Sequence, residues 1–467
     1  MRLADTLRLR GRLRTSQRLA HRRLWDAAAT VALADVAYGT ALGGALPALA
    51  GRSVLVRTVD MLSAALAMIE LDGVARRLVL CPPDLKDEDL PHVIATAGVD
   101  AVVFDRGPPA TGEADLIAAA LSLPPAPLRD EPTTGRNTEW VMFTSGTTGV
   151  PKMVIHSLAG LTGAIKQAGA ADEPPVWGTF YDIRRFGGLQ ILLRALLGEG
   201  SMVLAQPGEP VAPFLARLGR HGVTHLTGTP SHWRRVLMSP AAGAISPRYI
   251  RLSGEIADQA VLDGLKAAYP GVPIGHAYAS TEAGVGFEVT DGLEGFPAIL
   301  VERCSGEVRL RVVDGALQLR SERAASCYLG ENPTPVAGAD GFVDTGDMVE
   351  RQGDRFRFVG RRGGIINVGG LKVHPEEIEA VINGHPAVLM SLVRGRRNPI
   401  TGAIVVADVV LNGEGGPHAP AADTASIKAE ILSVCRRNLA PFKVPTGVRF
   451  VGALDMTAGG KLERAGA

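Results

Sequence analysis

A mixed α/β fold in at least two domains, closing with a small α+β unit at the C-terminus, is what the 467 residues predict. The chain is longer than one hydrophobic core usually serves. Short apolar runs of strand character alternate along it with longer helical patterns. After "DRFRFVGR" the composition changes, and helix and strand signals recur in a terminal stretch of their own.

Taken in order, the first stretch is "MRLADTLRLRGRLRTSQRLAHRRLW", with many arginines and one acid, Asp5. That bias resembles an organelle transit peptide but lacks the apolar centre of a signal peptide. Its charge pattern reads as a solvated basic helix, or as a docking surface for an acidic partner or a phosphate-rich ligand. "RSVLVRT" and "AVVFD" read as buried strands, with "TVDMLSAALAMIELDGV" a helix between them. "RGPPATGE" and "LPPAPLRDEPTTGRN" are connecting segments. "EWVMF" is an apolar strand that runs straight into "TSGTTG". "GEVRLRVVDGALQLRS" alternates around Asp314-Gly315 and predicts a β-hairpin. In the terminal unit "HPEEIEAVING" predicts a helix opened by proline and acids. "AIVVADVVL" and "GVRFVG" predict strands, "TASIKAEILSVCRRNLA" an amphipathic helix, and "LNGEGGPHAPAADT" a surface loop.

Bulk properties exclude several classes. Hydrophobic content of 46% and charged content of 21% suit a soluble globular protein, and no run of roughly 18 apolar residues predicts a transmembrane segment. Lys+Arg 49 against Asp+Glu 48 leaves +1, which argues against a nucleic-acid partner. Cys81, Cys304, Cys327 and Cys435 lie far apart with no C-x-x-C pair. Neither a disulfide framework nor a zinc site is implied, as suits a cytoplasmic protein. The ten histidines show no metal-ligand spacing.

"FTSGTTGVPK", Phe143 to Lys152, raises the chemical question. Its glycines Gly146 and Gly149 free the backbone N–H groups to converge on phosphate oxygens. Thr144, Ser145, Thr147 and Thr148 add hydroxyl donors, and Lys152 adds a mobile positive charge. The spacing is not that of G-x-x-x-x-G-K-[ST]: Val150 and Pro151 precede the lysine, and Met153 follows it. A flexible turn would have similar residues.

Four further stretches decide between these. "AYASTEAG" (Ala277 to Gly284), "DGFVDTGD" (Asp340 to Asp347), "GRRGGIINVGGLKVHPEEIE" (Gly360 to Glu379) and "TAGGKLER" (Thr457 to Arg464) follow the loop in order. Together the five stretches resemble the motifs of the adenylate-forming enzymes, which include acyl-CoA synthetases, nonribosomal peptide adenylation domains and luciferases. "TSGTTGVPK" is similar to that family's phosphate loop residue for residue. "AYASTEAG" has Ala279 where the family's Y-G-x-T-E has glycine. The first hundred or so residues carry no signature and look short for the family.

The resemblance implies a large N-terminal ATP- and acyl-binding domain of layered sheets and helices, residues 1–360. It also implies a small mobile C-terminal domain, residues 361–467, with its hinge near 361–364. ATP and a carboxylic acid would give an acyl-adenylate and pyrophosphate, and a thiol would then take the acyl group. Such chemistry needs positioning and positive electrostatics more than acid–base work. Residue by residue, Thr281 resembles the hydroxyl that contacts the α-phosphate and Glu282 the acid that holds Mg²⁺. Lys461 resembles the lysine that bridges the substrate carboxylate and the α-phosphate. Asp347 resembles the ribose-binding carboxylate, Arg361 its cationic neighbour, and Tyr278 the ring that stacks on adenine. Ala277, Ala279 and Ser280 flank that ring. Thr144, Ser145, Gly146, Thr147, Thr148, Gly149 and Lys152 would hold the departing phosphates. Gly254 and Glu255 stand on the adenine side, where the family more often has G-G-A-P. His156 and His374 lie inside motifs and read as structural.

The family's pivot position matches Gly363, where relatives often have a charged residue. Glycine absorbs large dihedral changes at little steric cost. Gly369 and Gly370 would flank a tunnel for pantetheine. In the acyl region "RFGGLQ" places Arg185 where relatives have histidine, with Gly187 two residues on. Arg185 could pair with Asp182, with CoA phosphates or with an anionic substrate. The acceptor thiol would be that of CoA, or the phosphopantetheine of a separate acyl or peptidyl carrier protein. A catalytically silent relative would be expected to lack the lysine or the magnesium acid, and both residues are present.

Overall fold

Two eight-stranded sheets form the body of the protein. The computed structural model describes residues 8–107, 116–128, 136–144, 151–165, 173–303, 306–398, 401–412, 421–457 and 461–464. The first sheet runs, in spatial order, Gly284–Val289, Ile274–Ser280, Tyr249–Ser253, His225–Gly228, Val176–Thr179, Ser201–Val203, Arg23–Trp25 and Thr30–Ala32. It is parallel except at its two edges. The second runs Thr334–Pro335, Cys327–Tyr328, Met153–Ser157, Glu139–Phe143, Arg77–Leu80, Ser53–Val56, Ala101–Phe104 and Ile117–Ala120.

Alternation along the strands explains how both sheets stay buried. In "SVLV", Val54 and Val56 enter the largest core while Leu55 enters another on the opposite face. Such near-continuous apolar strands are what parallel sheets covered on both faces require. Helix Met61–Leu71 is buried at every position, so "MLSAALAMIEL" shows no polar face. Its one acid, Glu70, accepts from the Thr40 hydroxyl and the Ala41 N–H, both at 2.6 Å, and pairs with Arg10 at 3.3 Å.

Here the basic N-terminus departs from the solvated helix its charge pattern suggests. Helix Leu9–Arg14 buries Leu9, Arg10, Gly11 and Leu13. Arg10 donates to Gly39 O at 3.2 Å and Arg14 to Ala37 O at 2.8 Å, at the C-terminal end of helix Leu33–Tyr38. Arg22 donates to the carbonyls of Ala195 (2.9 Å), Leu196 (2.5 Å) and Gly200 (2.9 Å), closing helix Phe186–Leu197. Helix C-termini present unpaired carbonyls and partial negative charge, and guanidinium forks satisfy both. Charge patterning could not show this, because the carbonyls they serve lie far along the chain.

A five-stranded antiparallel sheet follows, in the order Phe296–Pro297, Arg355–Arg361, Val343–Gln352, Ala316–Ser321 and Val308–Val313. The expected hairpin turns at Asp314-Gly315, with φ of 50° and 77°, as a tight hairpin turn demands. From Ile366 onward the buried side chains form a core of their own, with Ile378, Val405, Ala407, Ile431 and Val448. Pro375–Asn383 is the expected helix, and strands Val388–Asn398, Gly402–Leu411 and Gly447–Phe450 form its sheet. The last long helix, Ala421–Asn438, begins inside the stretch that reads as loop from composition. No described helix is long and apolar enough to cross a membrane.

Arg22 gives the fold its most direct test. Arg22→Ala leaves three carbonyls without their shared donor and should cost about 2–4 kcal/mol. A urea titration should show that as a lower midpoint, while Lys86→Ala on the surface should stay within about 0.5 kcal/mol of native.

Candidate active site

The two strands around the opening loop are antiparallel neighbours, with Phe143 opposite Met153. Thr144 N–H donates to Lys152 O at 2.9 Å and closes the mouth of the loop. Ser145, Gly146, Thr147, Thr148 and Gly149 lie outside the described residues. The strand leaving the loop carries His156, which is buried and whose Nε2 donates to Thr281 O at 2.7 Å. Burial pushes this imidazole down to about 4, so it is neutral and carries its proton on Nε2. On the same strand Ile155 O accepts from Ser326 N–H (2.9 Å) and Met153 O from Leu329 N–H (2.8 Å). Ala325 N–H donates to Glu282 O at 2.8 Å. The Thr281-Glu282 pair is thereby strapped to the strand that leaves the phosphate-type loop. The expectation that His156 is structural holds, and its structural task is this strap.

Ala277, Tyr278, Ala279 and Ser280 close strand Ile274–Ser280, which bulges between Tyr278 and Ala279. Ala279 has no left-handed φ, so alanine is tolerated where the motif more often has glycine. Tyr278 donates to Asp347 Oδ2 at 2.5 Å, with Phe287 and Phe358 nearly parallel to its ring at 5.5 and 5.2 Å. Asp347 Oδ1 takes Arg361 Nε at 2.9 Å across the strand pair. Two donors leave this carboxylate acceptor capacity for further hydroxyls. Beside it a cleft of about 300 Å³ is lined by Glu282, Tyr328, Asp344, Thr345, Gly346 and Arg362. Glu282 lines this cleft, and its carboxylate takes no hydrogen bond or ion pair from the described residues.

Lys461 reaches the same region from the far end of the chain. Its Cε lies 3.6 Å from where a Cβ on Gly254 would stand, and Gly254 has φ +89°. The next residue, Leu462, donates its N–H to Glu255 Oε1 at 3.0 Å. Glu255 Oε2 accepts from Ser231 N–H at 2.9 Å, in the first turn of helix Pro230–Met238. Two residues on, Arg464 grips Glu379 with both nitrogens, at 3.0 and 2.7 Å. The lysine is thus held between an anchor on the large sheet and one on the small unit. Burial pushes its pKa down. Glu255 is the main opposing charge, and Arg361, Asp347 and Arg185 are within electrostatic reach. The Glu255 anchor was not legible from sequence: a carboxylate bound to two backbone N–H groups has no motif.

The acyl-side expectations fare differently. Asp182 does not hold Arg185. It takes the buried Arg184, at 2.8 and 2.5 Å, while Arg185 pairs with Asp84. Arg184 also donates to Thr58 O, which locks it into the scaffold. Gly187 lies 3.7 Å from the ring of Tyr181 (as a Cβ would see it), and Tyr181 donates to Ser253 O at 2.9 Å. Gly369 and Gly370 are exposed, with φ of 59° and 85°, in the turn between Ile366–Val368 and Leu371–Val373. That turn alone explains two glycines. Gly363 has no left-handed φ, and a Cβ there would meet nothing within 4 Å.

Comparison with known proteins gives the same reading. Residues 53–321, more than half of the chain, match the model of the AMP-binding enzymes, and residues 377–461 match that of the AMP-binding enzyme C-terminal domain. The chain belongs to the AMP-binding enzyme family. Among its relatives, the human mitochondrial acyl-coenzyme A synthetase ACSM5 is 28% identical over 350 residues, 69% of this chain. The match spans 59% of that protein's length. The 2-succinylbenzoate–CoA ligase of Listeria innocua is 28% identical over 335 residues, 69% of this chain and 68% of that one. A benzoate CoA ligase from Burkholderia xenovorans LB400 shares the fold with a TM-score of 0.80 at 19% identity, covering 98% of each chain. As in other AMP-binding enzymes of that fold, a large N-terminal domain is followed by a smaller C-terminal one.

Two measurements test the geometry. His156 titrates at about 4 in the fold against 6.5 when unperturbed. A proton therefore binds the unfolded chain first, and stability should be lost as pH falls from 6.5 towards 4, by about 3 kcal/mol. His156→Gln should melt with a correspondingly shallower acid dependence. For the Glu255 anchor, Glu255→Ala should cut hydrogen-exchange protection at the Leu462 amide about tenfold or more. Unchanged protection would show that the bond contributes nothing.

Proposed function

We propose that this AMP-binding enzyme activates a carboxylic acid with ATP and passes the acyl group to the thiol of CoA. The observation that supports this most is the seat of Lys461, pressed on Gly254 with Glu255, Arg361, Asp347 and Arg185 around it. In the first step a carboxylate oxygen attacks the α-phosphorus, and the bond to pyrophosphate breaks. Negative charge grows at that phosphorus, where a preoriented cation stabilises the transition state. Lys461 has the reach to meet both the incoming carboxylate and the α-phosphate. Thr281 adds a hydroxyl donor, and the His156 strap fixes its backbone. Asp347, with Arg361 and Tyr278, has the acceptors for ribose hydroxyls, and Tyr278 stands beside them for the base. Lys152 and the hydroxyl-rich loop are suited to the departing pyrophosphate.

Glu282 is the residue suited to Mg²⁺. Among the described residues no cluster of three or more ligating side chains exists. Mg²⁺ keeps its waters and binds through one or two carboxylates with substrate phosphates, so one unpaired carboxylate fits it. When bound, the ion would neutralise phosphate charge.

In the second step the thiol attacks the acyl carbon, the C–S bond forms, the C–O bond to AMP breaks and the thiol proton is lost. We assign residues 1–360 to the ATP- and acyl-binding domain and 361–467 to a unit that moves between the two steps. Gly363 supports that hinge, since neither its φ nor its surroundings demand glycine in this pose. Gly369 and Gly370 would then face pantetheine after the movement. The relatives that act on CoA favour CoA over a carrier protein as acceptor. A cytoplasmic location is part of the proposal.

ATP–pyrophosphate exchange over a panel of acids, followed by product analysis with CoA and with a holo carrier protein, tests this reading. No exchange with any acid, while ATP binds, would refute it. Lys461→Ala should lower exchange about a hundredfold or more. Near-native adenylation with a lost second step would show that the lysine has another role.

A further inference from the structure

An acid whose carboxylate meets Lys461 lies over Gly254, and the neighbours of Gly254 decide how far its acyl chain can run. One of them is a tyrosine. Tyr181 is buried in the connection between strand Val176–Thr179 and helix Phe186–Leu197. Its hydroxyl donates to Ser253 O at 2.9 Å, and its ring lies 3.7 Å from where a Cβ on Gly187 would stand. The side chain therefore spans from the first turn of that helix to the last residue of strand Tyr249–Ser253, next to Gly254. At Gly254 itself, Lys461 Cε and Thr229 Cγ2 lie 3.6 and 3.7 Å from a Cβ position. Printed contacts on three consecutive steps thus join the lysine to the ring, through Gly254 and Ser253.

Thr229 closes the next side. Its N–H and Oγ1 meet His232 Nδ1 at 3.2 and 3.0 Å. The imidazole lies flat against Phe180, with centroids 5.1 Å apart, and edge-on to Tyr181 at 6.3 Å. Behind the tyrosine ring is packed core, for Tyr181 belongs to the largest apolar cluster with Ile183, Phe186 and Leu189. Nor is its backbone free to carry the ring aside. Tyr181 N–H is held by Thr179 Oγ1 at 3.1 Å. The next residue, Asp182, is gripped by Arg184, which also donates to Thr58 O. A Cβ on Gly188 would collide with Asp182 O, so this connection is pressed onto the helix. Turning the ring alone would leave a buried hydroxyl without its acceptor, which is unfavourable.

We infer that Tyr181 is the end wall of the acyl site and restricts it to short carboxylic acids, of about four carbons or fewer. The inference rests on the adenylation reading and gives it a substrate class. Consecutive Cα atoms such as those of Gly254 and Ser253 stand about 3.8 Å apart. A chain running from the lysine towards Ser253 has room for roughly three carbons beyond its carboxylate before it meets the ring.

The test is pyrophosphate exchange with acetate, propanoate, butanoate, octanoate and benzoate. The native protein should favour butanoate or a shorter acid over octanoate and benzoate by about tenfold or more in kcat/KM. Tyr181→Leu and Tyr181→Ala should raise the octanoate-to-butanoate ratio by about tenfold or more. Tyr181→Phe keeps the ring and should keep the native ratio. Melting temperature and ATP binding identify the folded variants. Octanoate or benzoate preferred by the native protein overturns the inference and leaves adenylation standing. So does a ratio unmoved in a folded Tyr181→Leu or Tyr181→Ala protein, or one moved as far by Tyr181→Phe. Exchange with no acid at all overturns both.

Discussion

A carboxylate that holds two backbone N–H groups from distant stretches of the chain is the contact on which the site depends. Glu255 accepts from Ser231 in the large sheet's helix layer and from Leu462 in the last described segment. Hydrogen bonds to an ionised acceptor are about twice as strong as neutral ones. Through them the chain's final lysine is set against Gly254, more than two hundred residues earlier in sequence. Glu255 is also the largest favourable charge on that lysine, so one side chain both docks the segment and opposes the downward push of burial. The Arg464–Glu379 fork completes the arrangement from the other side.

The rest of the scaffold can be read as a way of holding opposed charges at fixed distance. Strand ends of the first sheet deliver Ser253, Gly254, Thr281 and Glu282 to one edge, as parallel α/β sheets tend to do with ligand sites. The second sheet contributes strand Met153–Ser157, and the neutral His156 on it joins the two sheets without adding charge. The small sheet contributes Asp347 and Arg361 as a cross-strand pair. Each group is fixed by backbone bonds or by a partner of opposite sign, which is the preorganisation that charge-developing chemistry needs.

Much of this was legible in the sequence, and the limits have physical reasons. Strands such as "EWVMF" and the Asp314-Gly315 hairpin follow from local patterning, and the observed elements agree. Thr281, Glu282, Asp347, Arg361 and Lys461 stand out because they sit in short motifs that resemble those of the family. What could not be read depends on contacts across the fold. Arg10, Arg14 and Arg22 look solvated because nothing local shows that they cap helices. Arg184 and Arg185 are neighbours of one type, and only tertiary structure sends one to Asp182 and the other to Asp84. The Glu255 anchor is likewise a product of topology, without a motif to announce it.

The most direct check of the central claim is a crystal structure of the protein with an acyl-sulfamoyl adenosine, a stable mimic of the acyl-adenylate. Lys461 Nζ should touch the sulfamoyl or acyl oxygens, with Leu462 N–H still on Glu255 and the ribose hydroxyls on Asp347. A bound analogue with Lys461 turned away, and Glu255 still on Ser231 but released from Leu462, would contradict it.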